Sequence, residues 1–306
     1  MNLPKKVTIV DVGPRDGFQM EERFIPTDEK IRIIDALSET GLPRIEVTSF
    51  VHPKAVPQLA DAAEVMSRIK RKEGVSYEAL VPNVKGVERA IESSVEHVGL
   101  VVSASESHNK RNVNMTIAES LKTLGEAVKL ALRNKIFVTG GIATVFGCSM
   151  EGRVAPEKVE EVADHLLDMG VHELSLGDTV GVANPTQVAE MVGHYLQKLK
   201  GTDIGVRLHF HNTRGAGLAN VLAAMLEGAT IFDTAISGLG GCPFAPGATG
   251  NIPSGDTVNM LETMGLDTGV DVIRLVECEK EMQRLLGKEL PGQVMKAGPV
   301  LWALNQ

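Results

Sequence analysis

At 306 residues the chain is long for one ordinary core, yet it falls within the length that α/β barrels occupy as single domains. Hydrophobic residues make up 43% and charged residues 23%, which excludes a disordered chain and leaves material for a sizeable core. A formal charge of -8, spread along the chain without a basic block, argues against nucleic acid or an anionic membrane as the main partner.

In chain order, eight short β-rich runs occur at 7–13, 44–50, 77–82, 97–105, 136–146, 173–179, 205–212 and 231–238, each followed by a helical pattern. Between the first two runs, Thr27 stands ahead of Asp28 and Glu29 as a helix start, Ile31, Ile34 and Leu37 follow at helical spacing, and Gly41 closes the segment. After the fourth run, Lys110 and Arg111 read equally as a contact for a ligand's phosphate or as a solvated loop, and Thr116 with Glu119 forms a capping-box pattern. Pro156 opens a helix with Val159, Val162, Ala163 and Leu166 on one face, and Gly170 ends it. Strands alternating with helices imply a parallel sheet, and eight units over some 240 residues fit a closed (β/α)8 TIM barrel better than a doubly wound sheet. The expected organisation is one domain over 1–306, with the barrel at about 7–269 and a C-terminal extension at about 270–306 made of an extra helix and a tail.

No run of about 18 uncharged apolar residues exists, and a first strand near Val7 leaves no room for a targeting segment, so a cytoplasmic location is expected. Cys148, Cys242 and Cys278 are odd in number and far apart, forming neither a disulfide framework nor a paired-cysteine metal site. Cys148 and Cys278 read as buried packing thiols.

A barrel sets a positional rule: chemistry gathers at the C-terminal ends of the strands. His209 and His211, two apart on the seventh run, point to one face and make half of a metal site, or else a packed imidazole pair. At the end of the first run, Asp16 offers an anionic oxygen and Arg15 a cation beside it, the alternative being a turn with a surface ion pair. After the eighth run, the glycines of 238–241 and 247–251 suggest backbone close to a ligand. The first, seventh and eighth strands of a barrel are neighbours, so Asp16, His209, His211 and Asn251 can meet on one ion. Carboxylate, imidazole and amide donors without thiolate favour Mg2+ or Mn2+.

The stretches DVGPRDGFQMEE, RIEVTSFVHPKAVPQLAD, LVPNVKG, SLGDTVGVANP, LHFHNTRG and GLGGCPFAPGATGN, in this order, resemble those of 3-hydroxy-3-methylglutaryl-CoA lyases over roughly 7–269. The resemblance implies a metal-dependent lyase acting on an acyl-CoA, with Asp16, His209, His211 and Asn251 holding the divalent ion. It further implies that Arg15 stabilises the enolate of the departing thioester and that Cys242 lies near the reacting carbon. Glu46 matches a functional acid of the family, Gln19 and Thr179 match pocket-lining positions, and a homo-oligomer is implied by resemblance alone. Either Cys242 or His209 would return a proton to the acetyl carbanion. Competing readings are a lyase for another 3-hydroxyacyl-CoA such as citramalyl-CoA, a Claisen-condensing synthase, and a non-catalytic acyl-CoA-binding barrel. The chain departs from the family pattern at Asn212, where Asp is frequent, at Arg214, where Tyr is usual, and at Gly255, where Glu is common.

Overall fold

The computed structural model describes residues 3–241 and 250–303. Eight strands form a closed parallel barrel in sequential order: β1 Thr8–Asp11, β2 Arg44–Ser49, β3 Ser76–Leu80, β4 His97–Ser103, β5 Phe137–Ala143, β6 Glu173–Asp178, β7 Gly205–Phe210 and β8 Ile231–Thr234. The helices outside it are α1 Thr27–Ser38, α2 Ala62–Arg68, α3 Val84–Glu92, α4 Glu106–Val113, α5 Ile117–Arg133, α6 Pro156–Asp168, α7 Pro185–Lys198, α8 Gly217–Leu226, α9 Ser254–Thr263, α10 Val272–Leu286 and α11 Val294–Ala297. Among the described residues no helix is long and apolar enough to cross a membrane.

Local signals explain most of these elements. Thr116 and Glu119 form a reciprocal capping box at α5, Pro156 occupies the first turn of α6, and α10 begins on the Asp271 side chain and ends on Gly287 in the left-handed region. α1 starts at Thr27 as expected, with Pro26 before it as the cap position and the Thr27 hydroxyl donating to Asp61. Lys110 and Arg111 differ from the loop reading, since they ride on α4, which Ser105 caps through the His108 amide. Ser105, the last residue of the fourth β-rich run in sequence, lies beyond β4 and serves as a cap instead.

The outward face of the strands is mostly apolar and buried against the helices, as with Val98, Leu100 and Val102 on β4. The inward floor is charged. Arg44 donates to both oxygens of Glu173, at 2.7 and 2.8 Å, and to Glu78; Arg207 donates to Glu78 at 2.7 Å and to Asp233. His97 and Thr139 complete the cluster. Barrel interiors are usually filled by branched aliphatic side chains; here ion pairs fill the floor. Removing one partner of such a buried pair costs about 3–5 kcal/mol.

Candidate active site

The site lies at the C-terminal ends of β1, β7 and β8. After β1 the chain turns through a five-residue π-helical segment, Gly13–Gly17, that carries Arg15 and Asp16. Gly13 is required there, because a Cβ would lie 2.6 Å from Ile236 and 2.8 Å from an oxygen of Asp11. Gly240 has φ +111°, and a Cβ on it would lie 2.6 Å from the Asn251 amide nitrogen. The glycines after the eighth strand thus let backbone run directly beside the ligand cluster.

Candidate ligand atoms of Asp16, His209 and His211 lie within 4.8 Å of one another. The two imidazoles approach Nε2 to Nε2 at 3.0 Å. Asn251, buried and bridged in β fashion to His211, donates to Asp16 Oδ2 at 2.7 Å and to the Leu239 carbonyl at 3.0 Å. Its Oδ1 is buried with no hydrogen-bond partner, as is His211 Nδ1. Two facing imidazole nitrogens, a carboxylate and an orphaned amide oxygen fit a shared divalent cation.

The electrostatics differ from one group to the next. Burial opposes ionisation of Asp16, but Arg15 and the two histidines outweigh it and hold the carboxyl below its ordinary range. Burial and the neighbouring His209 push His211 down to about 4, so it is neutral and able to coordinate. For His209, burial is outweighed by the hydrogen bond and charge of Asp233, and its pKa rises. Asp233 sits 3.0 Å from His209 Nδ1, which leaves Nε2 facing the cluster.

Arg15 is clamped. Its Nε donates to Glu46 Oε2 at 2.7 Å and its Nη1 to Asp16 Oδ1 at 2.6 Å. Gln19 donates to the same Asp16 oxygen at 3.0 Å. Thr179 stands further round the mouth, where its hydroxyl accepts from the Thr144 amide at 2.9 Å. Cys242 lies outside the described residues, whereas Cys148 and Cys278 are free and buried as expected.

Sequence reasoning missed Asp233 and Arg207, which stand behind His209. One signal was present: Arg207 is two residues before His209, hence on the same inward face of β7. Asp233, alone among Ile231, Phe232 and Thr234, gave no hint of its partner. Arg214 donates to the Val180 and Gly181 carbonyls at 3.1 and 2.9 Å, tying down the turn after β6 that Asp178 also braces through the Val182 and Ala183 amides.

The sequence model of the HMGL-like family matches residues 6–281. A hydroxymethylglutaryl-CoA lyase of Bacillus subtilis is 45% identical over 96% of this chain and 97% of its own. A Pseudomonas aeruginosa enzyme described as a 3-hydroxy-3-isohexenylglutaryl-CoA/hydroxymethylglutaryl-CoA lyase is 43% identical over 97% and 98%. The solved structure of an HMG-CoA lyase from Acinetobacter baumannii, in complex with coenzyme A and 3-methylmalate, superposes with a TM-score of 0.93 at 44% identity, covering 97% of this chain and 96% of that one. With a family model matching nearly the whole barrel, the same fold and a cluster of ligands suited to a divalent ion, the chain belongs to the HMGL-like family, whose members are metal-dependent.

Proposed function

We propose that this chain, read as a single domain, is a carbon–carbon lyase that cleaves 3-hydroxy-3-methylglutaryl-CoA to acetyl-CoA and acetoacetate. The observation that carries this reading is the convergence of Asp16, His209 and His211 beside the clamped Arg15, in a chain 43–45% identical to lyases of that name. Asp16, His209, His211 and Asn251 are the ligands of the ion, and this oxygen- and imidazole-rich set suits Mg2+ or Mn2+. When bound, the ion supplies Lewis acidity that lowers the cost of negative charge on the substrate 3-hydroxyl oxygen.

The reaction removes the 3-hydroxyl proton, converts C3 to a carbonyl, breaks the C2–C3 bond and moves its electron pair to C2 and the thioester oxygen. Arg15 stabilises charge on that oxygen as an oxyanion hole does. Glu46 and Asp16 fix the direction of the guanidinium. A proton delivered to C2 completes acetyl-CoA, with Cys242 and His209 as the two candidate donors. Gln19 and Thr179 line the acyl-CoA pocket. The relative crystallised with coenzyme A supports an acyl-CoA partner; a homo-oligomer and a cytoplasmic location complete the proposal.

The test is product analysis by mass spectrometry with the methylglutaryl ester and added Mg2+ or Mn2+. Acetyl-CoA and acetoacetate are expected, turnover should vanish on chelation, and either ion should restore it. Full turnover after exhaustive EDTA treatment, with no bound metal by elemental analysis, would overturn the mechanism.

A further inference from the structure

The residues beyond the eighth βα unit grip the turn that leads into the ligand cluster. Ser237, in the middle of the turn Ile236–Gly238 after β8, is fully buried and has φ +58° and ψ +9°. A residue with a side chain avoids that left-handed region unless its surroundings hold it there. All three polar groups of Ser237 are held by the C-terminal extension. Its amide donates to Glu279 Oε1, its hydroxyl donates to the Glu279 carbonyl at 3.1 Å, and its carbonyl accepts from the Gly292 amide at 3.2 Å.

Two residues on, the Leu239 carbonyl accepts from the Asn251 side chain at 3.0 Å and from the Asn251 backbone amide at 3.4 Å. The same side-chain nitrogen donates to Asp16 Oδ2. A carboxamide is planar, so two bonds that fix Nδ2 also fix the direction of Oδ1, the atom left without a partner. The extension holds the far side of Asn251 as well. Glu279 Oε1 accepts from the Gly255 amide, and Asp256 accepts from the Gln293 and Val294 amides at 2.8 and 2.7 Å. One carboxyl oxygen thus bridges residues 237 and 255, on either side of Asn251 in the chain.

Glu279 is fully buried, its Oε2 has no hydrogen-bond partner, and no cation pairs with it among the described residues. A core that needed only packing would place an apolar side chain there, because a buried carboxyl with one orphaned oxygen opposes folding. We propose that Glu279 is a positioning residue of the ion site: through Ser237 and Gly255 it sets the place of the Leu239 carbonyl, and so aims the Asn251 oxygen at the ion. The inference rests on the reading of Asn251 as a ligand given above. Helix α10, outside the eight βα units, is then a working part of the active site.

The test is calorimetric titration of the metal-free full-length protein with Mn2+, below the unfolding midpoint of every variant. Glu279→Ala removes the acceptor and should weaken Mn2+ binding about tenfold, the low end for an outer partner of a ligand, at unchanged stoichiometry. Glu279→Gln keeps an acceptor oxygen for both amides and should bind within about threefold of the wild type. A merely structural role would lower the number of binding-competent chains, read as stoichiometry, while the remainder kept wild-type affinity; that result overturns the proposal, as does a Glu279→Gln as weak as Glu279→Ala. Asn251→Ala separates the two readings. If it binds Mn2+ as the wild type does, or if the wild type binds none, the ligand reading fails and this inference with it. If Asn251→Ala is weak and Glu279→Ala is not, the positioning role alone fails. Should Glu279→Ala not fold, Ser237→Ala, which removes only the hydroxyl bond to α10, is expected to weaken binding about threefold, and an unchanged affinity there overturns the proposal.

Discussion

Arg15 has two of its nitrogens committed to Glu46 and Asp16, so its charge is aimed before any substrate arrives. Preorganisation of this kind acts where charge develops, not where substrate is first bound. Arg15→Gln should therefore lower kcat by about 10^2-fold or more and change KM less. A near-normal kcat with a large rise in KM would recast Arg15 as an anchor. Behind the imidazoles the same logic continues, since Asp233 receives His209 and is itself held by the fully buried Arg207. Outer partners of this type typically cost about 10–100-fold in metal affinity when lost. Asp233→Asn is expected to weaken Mn2+ binding by that factor in a calorimetric titration, and an unchanged affinity would remove Asp233 from the metal's support.

At the level of elements, α10 contributes a carboxyl to a strand end far from it in sequence. Glu279 accepts from the Ser237 and Gly255 amides, both at 2.9 Å, and so ties the turn after β8 to the start of α9, next to Asn251. A Cβ on Gly255 would sit 2.3 Å from Glu279 Oε2. The space above residue 255 is thus taken by a carboxyl from another helix. Gly255→Glu should destabilise the protein by about 1–3 kcal/mol, and Glu279→Ala in the same chain should recover part of that loss. Additive losses in denaturant unfolding would refute the exchange. Burial also pushes Glu279 from 4.5 up to about 8. Between those values the folded protein keeps a proton that the unfolded chain releases, so this group's stabilisation is complete below about 4.5 and is lost as pH rises through about 8. Asp11 and Asp178, both raised by burial to about 6, act in the same direction over a lower range. Glu279→Gln keeps the acceptor without the titration, so its stability relative to the wild type should climb between pH 5 and pH 8, by at most about 1.4 kcal/mol per unit. Parallel pH profiles for the two proteins would contradict this account.

For the whole molecule, the ligand set joins the two ends of the barrel, because Asp16 follows the first strand and Asn251 the last. An ion bound only by the folded chain should therefore raise the unfolding midpoint, adding about 2.7 kcal/mol at a hundred times its Kd. Scanning calorimetry with Mn2+ against EDTA would register several degrees in the wild type and none in Asp16→Ala; equal midpoints in the wild type would argue against the site. The barrel itself was legible in sequence, since β-rich runs, helical spacing and capping patterns are local signals, and the β-rich runs recur eight times. His209 and His211 were legible for the same reason, being two apart on one strand. What tertiary structure alone decided lies between strands: the Asp16–Asn251 contact across 235 positions, the support of His209 by Asp233 and Arg207, and the carboxyl of Glu279 over Gly255. Periodicity tells which face a residue takes, but only barrel closure and register determine what it meets there.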